Sequence, residues 1–191
     1  MKTKVLYFLI FSYLMSSTSC KNDIEQIVEE DPVFYLLSQP NIIIDTVTST
    51  AKKWDYGFAF NTTKKGNVQK LGLVLPVVGK FKVKLFALSN DSILIEKEIE
   101  SKKSGSKNFL DIKSIPLSTN SEYGISVNAN SFYKMRKPDS TNFAFPMKIG
   151  NINLLSFNEQ QCTSQNCDKF PKNANSLVIA PCVTIIFVPE D

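Results

Sequence analysis

Residues 54–60 read WDYGFAF, with Trp54, Tyr56, Phe58 and Phe60 at every second position and Asp55, Gly57 and Ala59 between them. Successive side chains of an extended chain point to opposite faces, so this spacing collects four large aromatics on one side. A helix would scatter the same rings around its axis. The stretch is a strand with one face turned to a core.

The same period recurs outward from this point. KFKVKLFAL (80–88) sets Phe81, Val83, Leu85 and Ala87 inward against Lys80, Lys82 and Lys84 outward. In SILIEKEIE (92–100), Ile93, Ile95 and Ile99 oppose Glu96, Glu98 and Glu100. EYGISVNAN (122–130) alternates Tyr123, Ile125, Val127 and Ala129 with polar partners, and NINLLSF (151–157) and SLVIAPCVTIIFV (176–188) add two further runs. Gly, Pro, Asn, Asp and Ser clusters separate the runs, and from Val33 onward no long stretch keeps a helical period. The expected fold is all-β: an antiparallel two-layer β-sandwich, with jelly-roll connections among the forms that fit. The polar stretch NEQQCTSQNCDKFPKNANS (158–176) carries no strand pattern. Loops of that length are usually functional or disordered.

Upstream of the strands, Lys2 and Lys4 precede an apolar run at 5–15 and the small residues 16–19, which is the three-part form of an export signal. The run is well short of the roughly 20 apolar residues that span a bilayer. With Ser19 and Cys20 behind it, the segment resembles a bacterial lipoprotein signal, although Ser17 stands where such signals usually carry Leu. The resemblance implies cleavage before Cys20, a lipid on its sulfur and localisation in a cell envelope, most naturally a Gram-negative outer membrane. An ordinary export signal would be cut at the same bond. The expected organisation is a signal peptide at 1–19, a lipid-anchored acidic tether at 20–32 and a single β-sandwich domain at 33–191. The tether carries Asp23, Glu25, Glu29, Glu30 and Asp31 against Lys21 alone. Its residues before Pro32 reach roughly 35–40 Å when extended. A short helix on Ile24, Ile27 and Val28 is the competing form.

If Cys20 carries lipid, Cys162, Cys167 and Cys182 remain. Exported thiols oxidise, and CTSQNC (162–167) places two of them in one polar loop, so a Cys162–Cys167 disulfide is expected. Cys182 lies in an apolar run and reads as a small buried hydrophobe, with pairing to a loop cysteine as the alternative. No metal site is expected, because the chain has no His and no carboxylate cluster adjoins these thiols in sequence.

From Trp54 to Tyr133 the segments WDYGFAF, KGNVQKLGLVLP, GKFKVKLFAL, ILIEKEIE, IPLSTNSEYGISVN and SFY resemble an uncharacterised domain of unknown function. That domain occurs beside immunoglobulin-like and fibronectin-like modules in secreted bacterial proteins. The resemblance implies a β-sandwich outside the cytoplasm and carries no catalytic residues. Phe86 stands where that family has Trp. DTV, DSI and DST, beginning at Asp45, Asp91 and Asp139, resemble a short O-glycosylation motif of secreted Gram-negative proteins. It would place Thr46, Ser92 and Ser140 at the surface.

The absence of His excludes catalysis with an imidazole base. No phosphate-binding glycine loop and no SxxK or GxSxG stretch occurs. Glu96, Glu98 and Glu100 read as a solvated strand face, and Asp55 has no partner recognisable in sequence. Removing Lys2 and Lys4 leaves a charge near +2, almost all of it Lys, with Arg136 the single Arg. Nucleic acid is therefore not an expected partner. No cofactor and no enzymatic activity are expected. The segment NANSFYKMRKPDSTNFAF (128–145) supplies the candidate binding residues Phe132, Tyr133 and Arg136 for a saccharide or an envelope protein. The expected role is a non-catalytic binding or adhesion module of a membrane-anchored lipoprotein. A structural component of an envelope complex is the alternative.

Overall fold

The computed structural model describes residues 28–48, 52–163 and 167–190. Cys20, the signal segment and most of the acidic tether lie outside them. Among the described residues no helix is long and apolar enough to cross a membrane.

Among the described residues one helix, α1 (Pro32–Leu37), precedes twelve strands. These are β1 (Ile43–Thr48), β2 (Trp54–Thr62), β3 (Gly66–Val74), β4 (Gly79–Ala87), β5 (Ser92–Ser101) and β6 (Lys107–Leu117), followed by β7 (Tyr123–Ala129), β8 (Ser131–Arg136), β9 (Met147–Ile149), β10 (Ile152–Gln161), β11 (Asn173–Ala174) and β12 (Val183–Pro189). All pairings are antiparallel. One layer is a seven-stranded sheet in the order β11-β10-β2-β7-β4-β5, with β9 also on β10. The other joins the β12-β3-β6 sheet to the β1-β8 ribbon, bridged where Met135 exchanges backbone hydrogen bonds with Ile179. The chain crosses between layers from β2 to β3 and again from β3 to β4, so sheet neighbours are mostly distant in sequence. The expected two-layer all-β sandwich is the fold observed.

WDYGFAF lies near the middle of the larger sheet, flanked by β10 and β7. Tyr56, Phe58 and Phe60 are fully buried between the layers, while Trp54 is half-buried, stacked 6.3 Å from Tyr56. Val83 and Leu85 of β4 and Ile125 and Val127 of β7 extend the same face. Val68, Leu71 and Leu73 of β3 and Val183, Ile185 and Phe187 of β12 belong to the same core.

Strict alternation breaks at bulges. In β10 the register shifts between Leu154 and Ser156, so Ile152 and Leu154 point inward on one side of it and Phe157 on the other. A similar shift in β5 carries Ile93 to the surface, correcting its expected inward place. Deep burial of aromatics dominates the stabilisation, each side chain contributing on the order of 2–3 kcal/mol by transfer from water.

Helix α1 departs from the period-two pattern expected from Val33 onward. Asp31 caps it, its carboxylate accepting from the Phe34 N–H at 3.0 Å, and Pro32 sits in the first turn, where its missing N–H costs nothing. Val33 and Leu36 then enter the core. The folded body reaches back to Glu30, which pairs with Phe187 and whose carboxylate accepts from the Asn151 backbone N–H and Nδ2.

The outer face of the large sheet is also covered. Residues 167–175 fold across it, and Phe170 packs edge-on to Phe86 at 5.7 Å beside Ala59. Gly124 makes this possible: a Cβ there would lie 2.5 Å from the Phe170 ring. Lys84, expected outward, is on that side but buried beneath this segment. Asn158–Gln161, read as loop, are the last residues of β10 and pair with Trp54–Gly57.

Candidate functional site

At one end of the sandwich a cleft of about 690 Å³ opens between two segments. One wall is Tyr35 and Leu36 of α1 with residues 39–42; the other is Met135 of β8, the 137–139 turn, Phe143 and Met147. The β1–β8 pairing, which sets Ile43 opposite Arg136, holds the two walls together. The floor is apolar, from Leu36, Ile42, Met135, Phe143 and Met147, while Gln39, Asn41, Lys137 and Asp139 supply polar groups.

The turn beyond β8 is closed by its own bonds. Asp139 Oδ1 accepts from the Thr141 N–H at 3.1 Å and the Thr141 hydroxyl at 2.8 Å, which holds its carboxyl below the usual range. Lys137 Nζ donates to the Asn142 carbonyl at 2.8 Å and lies 5.6 Å over the Phe143 ring. Such a wall is preformed and loses little entropy on binding.

The expected trio is not assembled into one surface. Phe132 is in the core, its ring 3.9 Å from that of Tyr56, so its expected exposure to ligand is corrected. Tyr133 is half-buried, with its N–H directed at the Cys182 sulfur at 3.3 Å. Arg136 is partly exposed and donates from Nε to Asp45 Oδ2 at 3.3 Å across the ribbon. Residues interleaved with them, Met135 and Lys137, face the cleft instead. The cleft thus takes other residues of the 128–145 segment than the expected three. The opposite wall was missed, although Asp31-Pro32 before an apolar run is a helix-start signal.

Cys162 and Cys167 form the expected disulfide, with Cα atoms 4.9 Å apart, and Cys182 is a free buried thiol pushed up to about 12 by burial. The disulfide lies on the outer face of the large sheet, against a carboxyl that sequence reasoning left without a partner. Asp55 is buried there, and a carboxylate oxygen and both sulfurs lie within 4.8 Å of one another. Asn128 Nδ2 donates to Asp55 Oδ1 at 3.1 Å. Burial pushes the Asp55 carboxyl up to about 6; the Asn128 hydrogen bond and Lys84 oppose the rise, and Asp168 adds to it. Lys84 Nζ donates to the Cys167 carbonyl and pairs with Asp168 at 2.9 Å, with Glu96 at 3.7 Å. The sulfurs are bonded to each other and so are not ligands. Only a reduced pair beside Asp55 would present a thiophilic donor set.

Of the O-glycosylation candidates, Thr46 and Ser140 are exposed and Ser92 is half-buried. No family model matches the chain, and no curated protein matches it. The chain is an all-β sandwich with a cleft between α1 and the segment beyond β8.

Proposed function

We propose that this chain is an envelope lipoprotein, exported and acylated at Cys20, whose sandwich is a non-catalytic module binding an extended segment of another envelope protein in the end cleft. The observation that carries it is the cleft itself, an apolar concavity with a sparse polar rim. Such sites take ligands by burying their apolar surface and use a few polar groups to orient them. Between the two ligand classes expected from sequence, the lining favours protein. Leucine, isoleucine and methionine walls match apolar side chains, and Met adapts to varied shapes. A saccharide would need flat exposed rings, and of the cleft residues Tyr35 is the aromatic most open to solvent. Lys137 and Asp139 are held in the turn's own hydrogen bonds, which favours recognition over acid–base chemistry.

The test is site-specific photo-crosslinking in the native envelope from Asn41, at the cleft, and from Lys97, on the exposed β5 edge strand. A discrete protein adduct from Asn41 only, reduced at least fivefold by Ile42→Lys, supports the proposal. Retention on a glycan array with no adduct would transfer the cleft to saccharides, and neither signal would remove it as a binding site. Mass spectrometry of the mature N-terminal peptide tests the anchor separately: an acylated Cys20 is expected, and a free amine with an unmodified thiol would refute it.

A further inference from the structure

We propose that the Cys162–Cys167 disulfide is an exchange site for dithiols, with Asp55 as the group that delivers and removes the proton. The proposal is independent of the cleft and of the lipid anchor. Both cysteines are half-buried rather than enclosed in the core. Behind them the sheet holds a carboxyl within 4.8 Å of each sulfur, a gap that one water spans. A disulfide serving only as a staple has no need of a buried carboxyl at its back, and burying a carboxyl costs free energy.

A thiolate of the dithiol bonds to one protein sulfur, the S–S bond breaks, and its electron pair leaves on the other sulfur, which takes a proton from the Asp55 carboxylic acid. The second sulfur of the dithiol, having lost its proton to solvent, then attacks the mixed disulfide and releases the first protein sulfur as a thiolate, which takes a proton from solvent. The dithiol is oxidised to a disulfide, and the protein disulfide is reduced to two thiols. In the opposite direction the Asp55 carboxylate takes the proton from a cysteine thiol, making the thiolate that attacks.

The surroundings suit this role. Asp55 on β2 faces Asn128 from β7, Lys84 from β4, and Asp168 from the segment folded over the sheet. Burial holds its carboxyl at about 6, so both protonation states are populated near neutrality. Lys84 fixes the Cys167 backbone from below and adds a cation beside any thiolate formed.

The test is the rate of reduction of the folded oxidised protein by dithiothreitol from pH 5 to pH 8, corrected for the thiolate fraction of the reagent. In the wild type the corrected rate should rise at least tenfold as pH falls through about 6. In Asp55→Asn, which keeps a similar shape and hydrogen-bonding capacity, the corrected rate should be flat and meet the wild type at pH 8. Cys182, buried and inert, reports folding, because it should resist alkylation throughout. The wild-type profile needs no variant, so a misfolded Asp55→Asn would not shield the proposal. Superimposable flat profiles would eliminate Asp55 as the proton carrier. Reduction only in denaturant, together with labelling of Cys182, would show the bridge to be a staple.

Discussion

Asp55 occupies a strand position that in most sandwiches would face water, and its environment has a thermodynamic consequence apart from any redox chemistry. Its carboxyl is raised from the ordinary range to about 6. Between those limits the folded state holds a proton that the unfolded chain has released, so this group's contribution falls as pH rises through the window and is flat above it. Asp55→Asn removes that slope. In urea unfolding from pH 4 to pH 7.5, the variant should be close to the wild type at pH 4 and gain on it up to about 3 kcal/mol by pH 7. A difference that stays constant across the range would show that Asp55 does not titrate as described.

At the scale of elements, α1 links stability to the cleft. Asp31 caps the helix, accepts from the Thr184 hydroxyl at 2.6 Å and lies 3.6 Å from Lys107. Those bonds pin α1 to β12 and thereby set Tyr35 and Leu36 in the cleft wall. Asp31→Ala should cost roughly 1–2 kcal/mol, the range for a lost N-cap with an added side-chain partner. It should also weaken the Asn41 crosslink. Asp31→Asn, which can still accept from the Phe34 N–H, should recover most of both. Chemical denaturation and crosslink yield measure the two effects.

For the molecule as a whole, the segment folded over the outer sheet is fixed by the Cys162–Cys167 bond, the Lys84–Asp168 ion pair, the Phe86–Phe170 contact and the pairing of β11 with β10. Replacing both cysteines by Ser should cost about 2 kcal/mol on the chain-entropy account of so short a loop. It should also raise hydrogen exchange in residues 167–175 before any change in the core strands. Uniform loss of protection would mean that this layer and the core unfold as one unit.

Much of this architecture was legible in the residues alone. Period-two runs such as WDYGFAF reveal strands because apolar burial on one face acts locally and repeats in the chain. The nearness of Cys162 to Cys167 likewise suffices to suggest their bridge. The sequence alone thus determined the all-β character and the sandwich class, and pointed to the pairing of the loop cysteines. Only the tertiary structure decided where the bulges invert parity, as in β5 and β10, and which residues of the 128–145 segment line the cleft. Only it brought Asp55 to the disulfide and buried Lys84, since those neighbours lie more than 80 residues apart along the chain. Alternation records which side of a strand a residue occupies, whereas a site depends on what long-range packing places over that side.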